Sequence, residues 1–221
     1  MGDHRPACAA RRALEAAMIR LDLQKKGYGG VPVLGPMQLH VGRGEVLGLS
    51  GASGAGKTTL LRILAGLDTR FEGTLEVRGR RAMVFQNPTL MPWRRVIDNV
   101  TLPTSATEAQ ARAILARVGL EGVEDHWPGQ ISVGQARRVG LARAFVTKPD
   151  LLLMDEPFAS LDGARVEDLL ELTAALIAET NAAVVIASHS TAELDALATR
   201  FARVDGRPAR LLQDDRVRAG S

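Results

Sequence analysis

Apolar and polar positions along the chain fall into two alternating rhythms, a short one and a longer one. From Met18 the short rhythm comes first, with MIRLDLQ at 18 to 24, MQLHV at 37 to 41 and EVLGLS at 45 to 50, each bounded by glycine, proline or polar residues as strands are. A Gly-rich loop follows, and KTTLLRILAGL behind it, at 57 to 67, has the apolar spacing of a helix. TLEVR at 74 to 78 and AMVF at 82 to 85 read as a further strand pair, followed by the Pro-punctuated segment NPTLMPWRRVIDNV and a helical pattern from Thr107 to Val118. A second helix begins near Ser132. LLLM at 151 to 154 and AAVVIAS at 182 to 188 are unalternating apolar runs, as expected of strands buried on both faces. The stretch GARVEDLLELTAALIAET between them is helical in pattern. Strand, helix and strand in succession predict an α/β fold with a parallel sheet and crossover helices. The tail from Arg203 holds one or two weak strands, with 216 to 221 left as polar tail, and the Ala- and Arg-rich residues 1 to 17 read as a loosely ordered extension.

Composition narrows the class without choosing a function. The chain has 221 residues, of which 46% are hydrophobic, 24% charged and 4% aromatic, the profile of a globular protein able to bury a core. Its formal charge of +3 is too small to argue for nucleic acid or anionic lipid, though it excludes neither. The single cysteine, Cys8, cannot form an intrachain disulfide, which fits a reducing compartment. No apolar run reaches the ~18 residues of a membrane span, and the N-terminus lacks the apolar stretch of a secretory signal. The chain is therefore not expected to cross a bilayer by itself.

Chemistry enters with Gly51-Ala52-Ser53-Gly54-Ala55-Gly56-Lys57-Thr58, which matches the phosphate loop G-x-x-x-x-G-K-[ST] between a strand and a helix start. Its glycines let backbone N–H groups turn toward a polyphosphate, Lys57 adds a point charge at the terminal phosphates, and Thr58, followed by Thr59, brings a hydroxyl to a Mg²⁺ ion. Asp155 and Glu156 follow the buried strand LLLM, at the strand end where open α/β sheets bind ligands. Asp155 is a candidate to hold Mg²⁺, and Glu156 to polarise an attacking water. An acidic turn closed by Pro157 is the alternative for DEP taken alone.

The segment between these motifs narrows the choice further. Ile131-Ser132-Val133-Gly134-Gln135 resembles the L-S-G-G-Q signature of the ATP-binding cassette (ABC) ATPases, and Arg138 in the continuation ARRVGLARAF fits the same family. Gln86 in VFQ resembles the family's Q-loop glutamine, Ser160-Leu161-Asp162 its D-loop and His189 its switch histidine. Tyr28 in GYGG is similar in placement to the aromatic that stacks on adenine. The resemblance runs from about Met18 to Arg210, in the family's order. Residue chemistry is compatible with each role, although a turn tyrosine packed on the sheet is the lesser alternative for Tyr28, and Ser132 to Gln135 also reads as a capping box.

What the resemblance implies is a P-loop NTPase core of the ABC type, with an N-terminal antiparallel β subdomain and an inserted helical signature subdomain at about 87 to 148, all within one domain at 18 to 215. It implies ATP and Mg²⁺ as cofactors, with Tyr28, Gly51 to Thr59, Gln86, Ser132, Gly134, Gln135 and Asp162 around nucleotide, and Thr58, Gln86 and Asp155 around the metal. Lys57, Glu156 and His189 are the implied catalytic residues. The signature is expected to close over ATP held by a second cassette, so a head-to-tail dimer follows. Val133, where the family usually has glycine, departs from the pattern. A β-branched residue there disfavours positive φ and adds bulk beside the partner's phosphate, so dimer closure is expected to weaken without loss of the site. Ser190 replaces an acidic residue common in the family.

Leu90, Met91 and Trp93 lie in the part of the fold that docks onto a permease in this family, although plain subdomain core would explain them as well. The motif FQNPTLMPWRRVIDNV most resembles importer cassettes of the nitrate, sulfonate and taurine group. The resulting expectation is an ATPase subunit that couples hydrolysis to import of a small anionic solute. It would be peripheral on the inner membrane face, partnered by permease subunits and indirectly by a solute-binding protein, with no nucleic acid. An exporter cassette, a soluble cassette acting on nucleic acid or ribosomes, and a slow-turnover regulator are the alternatives.

Overall fold

The computed structural model describes residues 17–159 and 163–217. Ten strands form one curled sheet in the order β3-β1-β2-β10-β9-β4-β8-β7-β6, with β5 paired to β1. Strands β1 (Ile19–Tyr28), β2 (Val31–Leu34), β3 (Met37–Val41) and β5 (Glu72–Val77) make the N-terminal antiparallel part, in which β1 carries β3 and β5 on its two edges. The remainder is parallel at its centre: β9 (Arg200–Gly206), β4 (Val46–Ser50), β8 (Ala183–Ala187), β7 (Leu151–Asp155) and β6 (Arg81–Val84) lie side by side. β10 (Ala209–Val217) returns antiparallel to β9.

Side chains on the central strands alternate between two cores. On β7, Leu152 and Met154 face a core shared with the helices, while Leu151 and Leu153 face the opposite one; Val184 and Ile186 of β8 divide from Val185 and Ala187 in the same way. This is why these strands lack polar alternation. Helix α1 (Lys57–Ala65) packs on β7, with Leu60, Leu61, Ile63 and Leu64 fully buried in the core that also holds Ile19, Leu21 and Leu39 of the antiparallel part. At roughly 1.5–3 kcal/mol per buried aliphatic side chain, these four hold the phosphate loop's helix firmly in place.

Helices α2 (Val96–Thr104), α3 (Glu108–Arg117) and α4 (Val133–Phe145) pack on one another, and α5 (Gly163–Thr180) and α6 (Thr191–Leu197) complete the chain. Thr107 and Ser132 close capping boxes with Gln110 and Gln135, so α3 and α4 start where their sequences predict. The range of α5 also agrees with its pattern.

Five elements depart from expectation. Helix α2 forms inside the segment read only as Pro-punctuated, because Pro103 falls near its end, where the helix is already stopping. β2 and α6 were not anticipated. The weak tail strands are in fact seven and nine residues long, and β9 belongs to the parallel centre beside β4. Residues 1–16 of the expected extension lie outside the described residues, whereas Ala17 is buried and the Met18 N–H donates to the Val41 carbonyl at 2.8 Å.

Candidate functional site

At the C-terminal end of β4 the chain turns through Gly51 and Gly56, both at positive φ (149° and 100°). A Cβ on Gly51 would stand 2.5 Å from the Val204 carbonyl oxygen, and one on Gly56 2.6 Å from Leu34, so neither position accepts another residue without rearrangement. Gly56 is the N-cap of α1. It supplies no side-chain cap, and no acidic residue occupies the first turn, which leaves the positive end of the helix uncompensated and suited to an anion.

A cavity of about 420 Å³ opens over this helix start. Ser53, Gly54, Ala55, Gly56, Lys57, Thr58 and Thr59 line it together with Gln86, Glu156, His189 and Val33. Gly51 and Ala52 lie behind it: the Lys57 ammonium donates to their carbonyls at 2.7 and 3.2 Å and stands 3.5 Å from Glu156. Lys57 is buried, its Nζ held by carbonyl acceptors that an arriving phosphate would outcompete.

β7 delivers the two carboxylates in different environments. Asp155 is buried and accepts from the Thr58 hydroxyl at 3.1 Å. Burial pushes its carboxyl above the usual range, more than the Thr58 hydrogen bond lowers it, and the neighbouring Glu156 adds to the rise. Glu156 takes a left-handed backbone (φ 46°), and its N–H donates to the Ala187 carbonyl at the end of β8. That turn brings its side chain to His189, whose Nδ1 lies 2.7 Å from Glu156 Oε2 while the His189 N–H donates to the same oxygen at 3.3 Å.

Below the histidine, buried Ser188 donates to Glu193 at 2.6 Å and accepts from the Ser190 N–H at 3.0 Å. Ser190 in turn accepts from the Glu193 N–H as the N-cap of α6. The residue noted as a family departure thus has a local structural task.

The donor set around Thr58, Asp155 and Gln86 is all oxygen. Among the described residues no group of three His, Cys, Asp or Glu side chains gathers. Such a set suits Mg²⁺, which takes few protein ligands and fills its octahedron with water and phosphate oxygens.

Two expected site elements lie outside the cavity lining, and a third falls outside the described residues. Tyr28, at the end of β1, does not line the cavity; its hydroxyl donates to Asp68 at 2.7 Å, and its ring lies 4.4 Å from the Lys26 ammonium. Asp68 also receives Lys26, at 2.7 Å, and that hydrogen bond, followed by the one from Tyr28, holds its carboxyl at about 2. Ser132, Gly134 and Gln135 form the N-terminus of α4 without touching their own chain's cavity. Asp162 and the rest of Ser160-Leu161-Asp162 lie outside the described residues.

Val133 corrects an expectation. As the first residue of α4 it is not among the positive-φ positions, so the backbone objection to a β-branched residue does not apply. It is 63% exposed, and the argument from bulk on an open face stands.

The segment after Gln86 separates into core and surface. Leu90 packs against the helical core, Met91 is half-buried, and Trp93 is 69% exposed. Fully buried Asn99 fixes this loop: its amide oxygen accepts from the Met91 N–H, and its NH₂ donates to the carbonyls of Met91, Arg94 and Arg95. Sequence reading missed Val33 and the Lys26–Asp68 pair, which belong to no contiguous motif, and Asn99, whose role inside FQNPTLMPWRRVIDNV has no local signal. It also passed over Arg137 in favour of Arg138, which donates to the Val118 carbonyl.

The chain matches the ABC transporter family over residues 34–159. It is 42% identical over 202 residues to the aliphatic sulfonates import ATP-binding protein SsuB of Mycobacterium sp. (strain MCS), covering 88% of this chain and 82% of that one. A protein of the same name, SsuB 2 of Nocardia farcinica, is 44% identical over 197 residues, covering 87% and 82%. Among solved structures, a dimeric ATP-binding cassette in a post-hydrolysis state with ADP and Pi superposes with a TM-score of 0.80 at 26% identity, covering 92% of this chain and all of the other. An inward-facing ABC transporter of metal-chelate type gives 0.79 at 23% identity, covering 89% and 83%. A phosphate loop, a carboxylate pair and a histidine on one cavity, with the signature on a separate capped helix and these likenesses across most of the chain, identify it as a member of the ABC transporter family, one of its ATP-hydrolysing subunits.

Proposed function

We propose that this chain couples ATP hydrolysis to import of a small sulfonate-type anion, acting as one of two cassettes seated on permease subunits at the inner membrane face. The observation carrying this reading is the division of the machinery. Lys57, Thr58, Gln86, Glu156 and His189 share one cavity, while the Ser132 helix start is not part of its lining and is available to a second cassette. The names of the relatives support sulfonates as the solute class and import as the direction. The exposed Trp93 loop, clasped by Asn99, is the surface offered to the permease.

In the proposed reaction the phosphate loop and the α1 terminus hold the ATP phosphates, with Lys57 transferring its hydrogen bonds from the loop carbonyls to the terminal phosphate. Thr58, Asp155 and Gln86 would hold Mg²⁺, which supplies charge neutralisation at the phosphate oxygens when bound. Glu156 orients a water for attack on the γ-phosphorus, and His189, hydrogen-bonded to Glu156, keeps that carboxylate aimed and reaches the transferring group. Tyr28 flanks the base, and Ser132, Gly134 and Gln135 cap the partner's nucleotide. A solute-binding protein would deliver the solute to the permease.

Two measurements test this. Affinity purification from membranes is expected to recover a polytopic protein that stimulates hydrolysis; recovery of ribosomes or DNA instead would refute the transporter reading. Glu156→Gln is expected to keep ATP affinity while cutting turnover at least 100-fold and holding a closed dimer. Hydrolysis at the wild-type rate would overturn the assignment of Glu156.

A further inference from the structure

We infer that Arg137 is a positioning residue that couples occupancy of the ATP cavity to the placement of the signature helix. Its side chain leaves α4 one turn beyond the Ser132 N-cap and is only 7% exposed. One guanidinium nitrogen donates to the Gln86 carbonyl at 3.0 Å and to the Pro157 carbonyl at 2.9 Å, and the second donates to the Ala159 carbonyl. These acceptors belong to Gln86, which lines the cavity, and to the turn that follows Glu156, which lines it as well. A single planar group therefore ties three segments that carry different parts of the chemistry: the Gln86 loop, the loop after the proposed base, and the helix offered to a second cassette.

The physical character of the link favours transmission over simple packing. A guanidinium has a rigid fork of donors, so moving one acceptor obliges the group, or the other two acceptors, to follow. Among the described residues no carboxylate forms an ion pair with it, and Glu193 opposes the effect of burial only through space. Its Nε is buried without a hydrogen-bond partner among the described residues, and burial lowers the Arg137 pKa. A charge held only by backbone carbonyls is costly to keep, which is the condition under which a small shift of Gln86 or of the turn after Glu156 is felt at α4. ATP arriving between Gln86 and Glu156 would move both sets of acceptors together. The inference rests on the ATP-hydrolysing assignment and extends it to how the two half-sites communicate.

The test compares the purified full chain with Arg137→Met and Arg137→Lys, and with Arg138→Met as a control that removes a guanidinium from the same helix. Backbone hydrogen exchange is followed with and without Mg-ATP, together with steady-state hydrolysis and binding of a fluorescent ATP analogue. In Arg137→Met, Mg-ATP is expected to protect the phosphate loop as in the wild type, with affinity within about threefold. Protection of peptides spanning 131–140 should be lost and kcat should fall at least tenfold. Arg137→Lys, which keeps the charge but not the fork, is expected to fall between the two and covers the case in which the methionine variant does not fold. Equal protection of 131–140 in wild type and variants, kcat within twofold, or the same losses in Arg138→Met would each overturn the coupling role. A wild-type phosphate loop that Mg-ATP does not protect would instead refute the ATP assignment on which it rests.

Discussion

Asp68→Asn separates the electrostatics of the antiparallel part from the chemistry of the cavity. Asp68 accepts from the Lys26 ammonium at 2.7 Å, from the Tyr28 hydroxyl at 2.7 Å and from the Arg70 N–H at 3.2 Å, and Lys26 is only 2% exposed. A carboxyl held at about 2 against an ordinary 3.8 contributes at most ~2.5 kcal/mol to folding at neutral pH, less where solvent screens it. Asparagine removes that charge and leaves a buried cation. The Arg70 carbonyl, which also accepts from Lys26 at 2.7 Å, offsets part of the loss. A net destabilisation of about 2–3 kcal/mol is expected, below the roughly 3–5 of a buried pair broken without compensation. Because the folded-state value is depressed, the contribution is complete above 3.8 and fades as pH falls toward 2. Urea denaturation of both proteins between pH 7 and pH 2.5 should therefore show a gap that is constant down to about pH 4 and narrows below it. A gap under about 0.5 kcal/mol at pH 7, or one that does not change with pH, would refute the reasoning.

Tyr28→Ala is expected to weaken ATP binding by about 5- to 150-fold if the ring stacks on the base, a loss of roughly 1–3 kcal/mol, and titration with a fluorescent analogue decides it. Unchanged affinity would leave Tyr28 as a partner of Asp68 alone. Val133→Gly should raise the steady-state ATPase rate by removing bulk from the exposed start of α4; an unchanged or lower rate counts against it. Asn99→Ala should cost about 2–3 kcal/mol by removing four hydrogen bonds to the backbone of the loop and helix start, and should change the Trp93 fluorescence as its loop loosens. Full stability with an unaltered spectrum would mean the loop is held elsewhere.

Much of the site was legible because its signals are local. A strand ending in G-x-x-x-x-G-K-T must turn through glycines and open a helix, and S-x-x-Q caps α4 whatever lies around it. Unbroken apolar runs identified the two central strands because burial on both faces leaves no position for polar residues. Other elements had no such signal. The helix at Val96–Thr104 is held by Asn99, whose four hydrogen bonds go to backbone atoms that no side-chain pattern reveals. β9 earns its place in the parallel centre by pairing with β4, some 150 residues earlier, and its own sequence is too polar to announce this.

By itself, then, the sequence determined the α/β order, the loop that seats a phosphate and the identity of the residues able to act on it, since each depends on backbone geometry and side-chain chemistry over a few neighbours. Only the tertiary structure decided how they meet. The left-handed turn at Glu156 and its bond to the end of β8 bring Glu156 to His189, the sheet order sets both beside Lys57, and Ser132 at the start of α4 stays out of the cavity they line. Arg137 gains its three carbonyl acceptors only when loops 51 and about 20 residues away fold against one helix. Such contacts join groups distant in the chain through packing, and packing is a property of the whole fold.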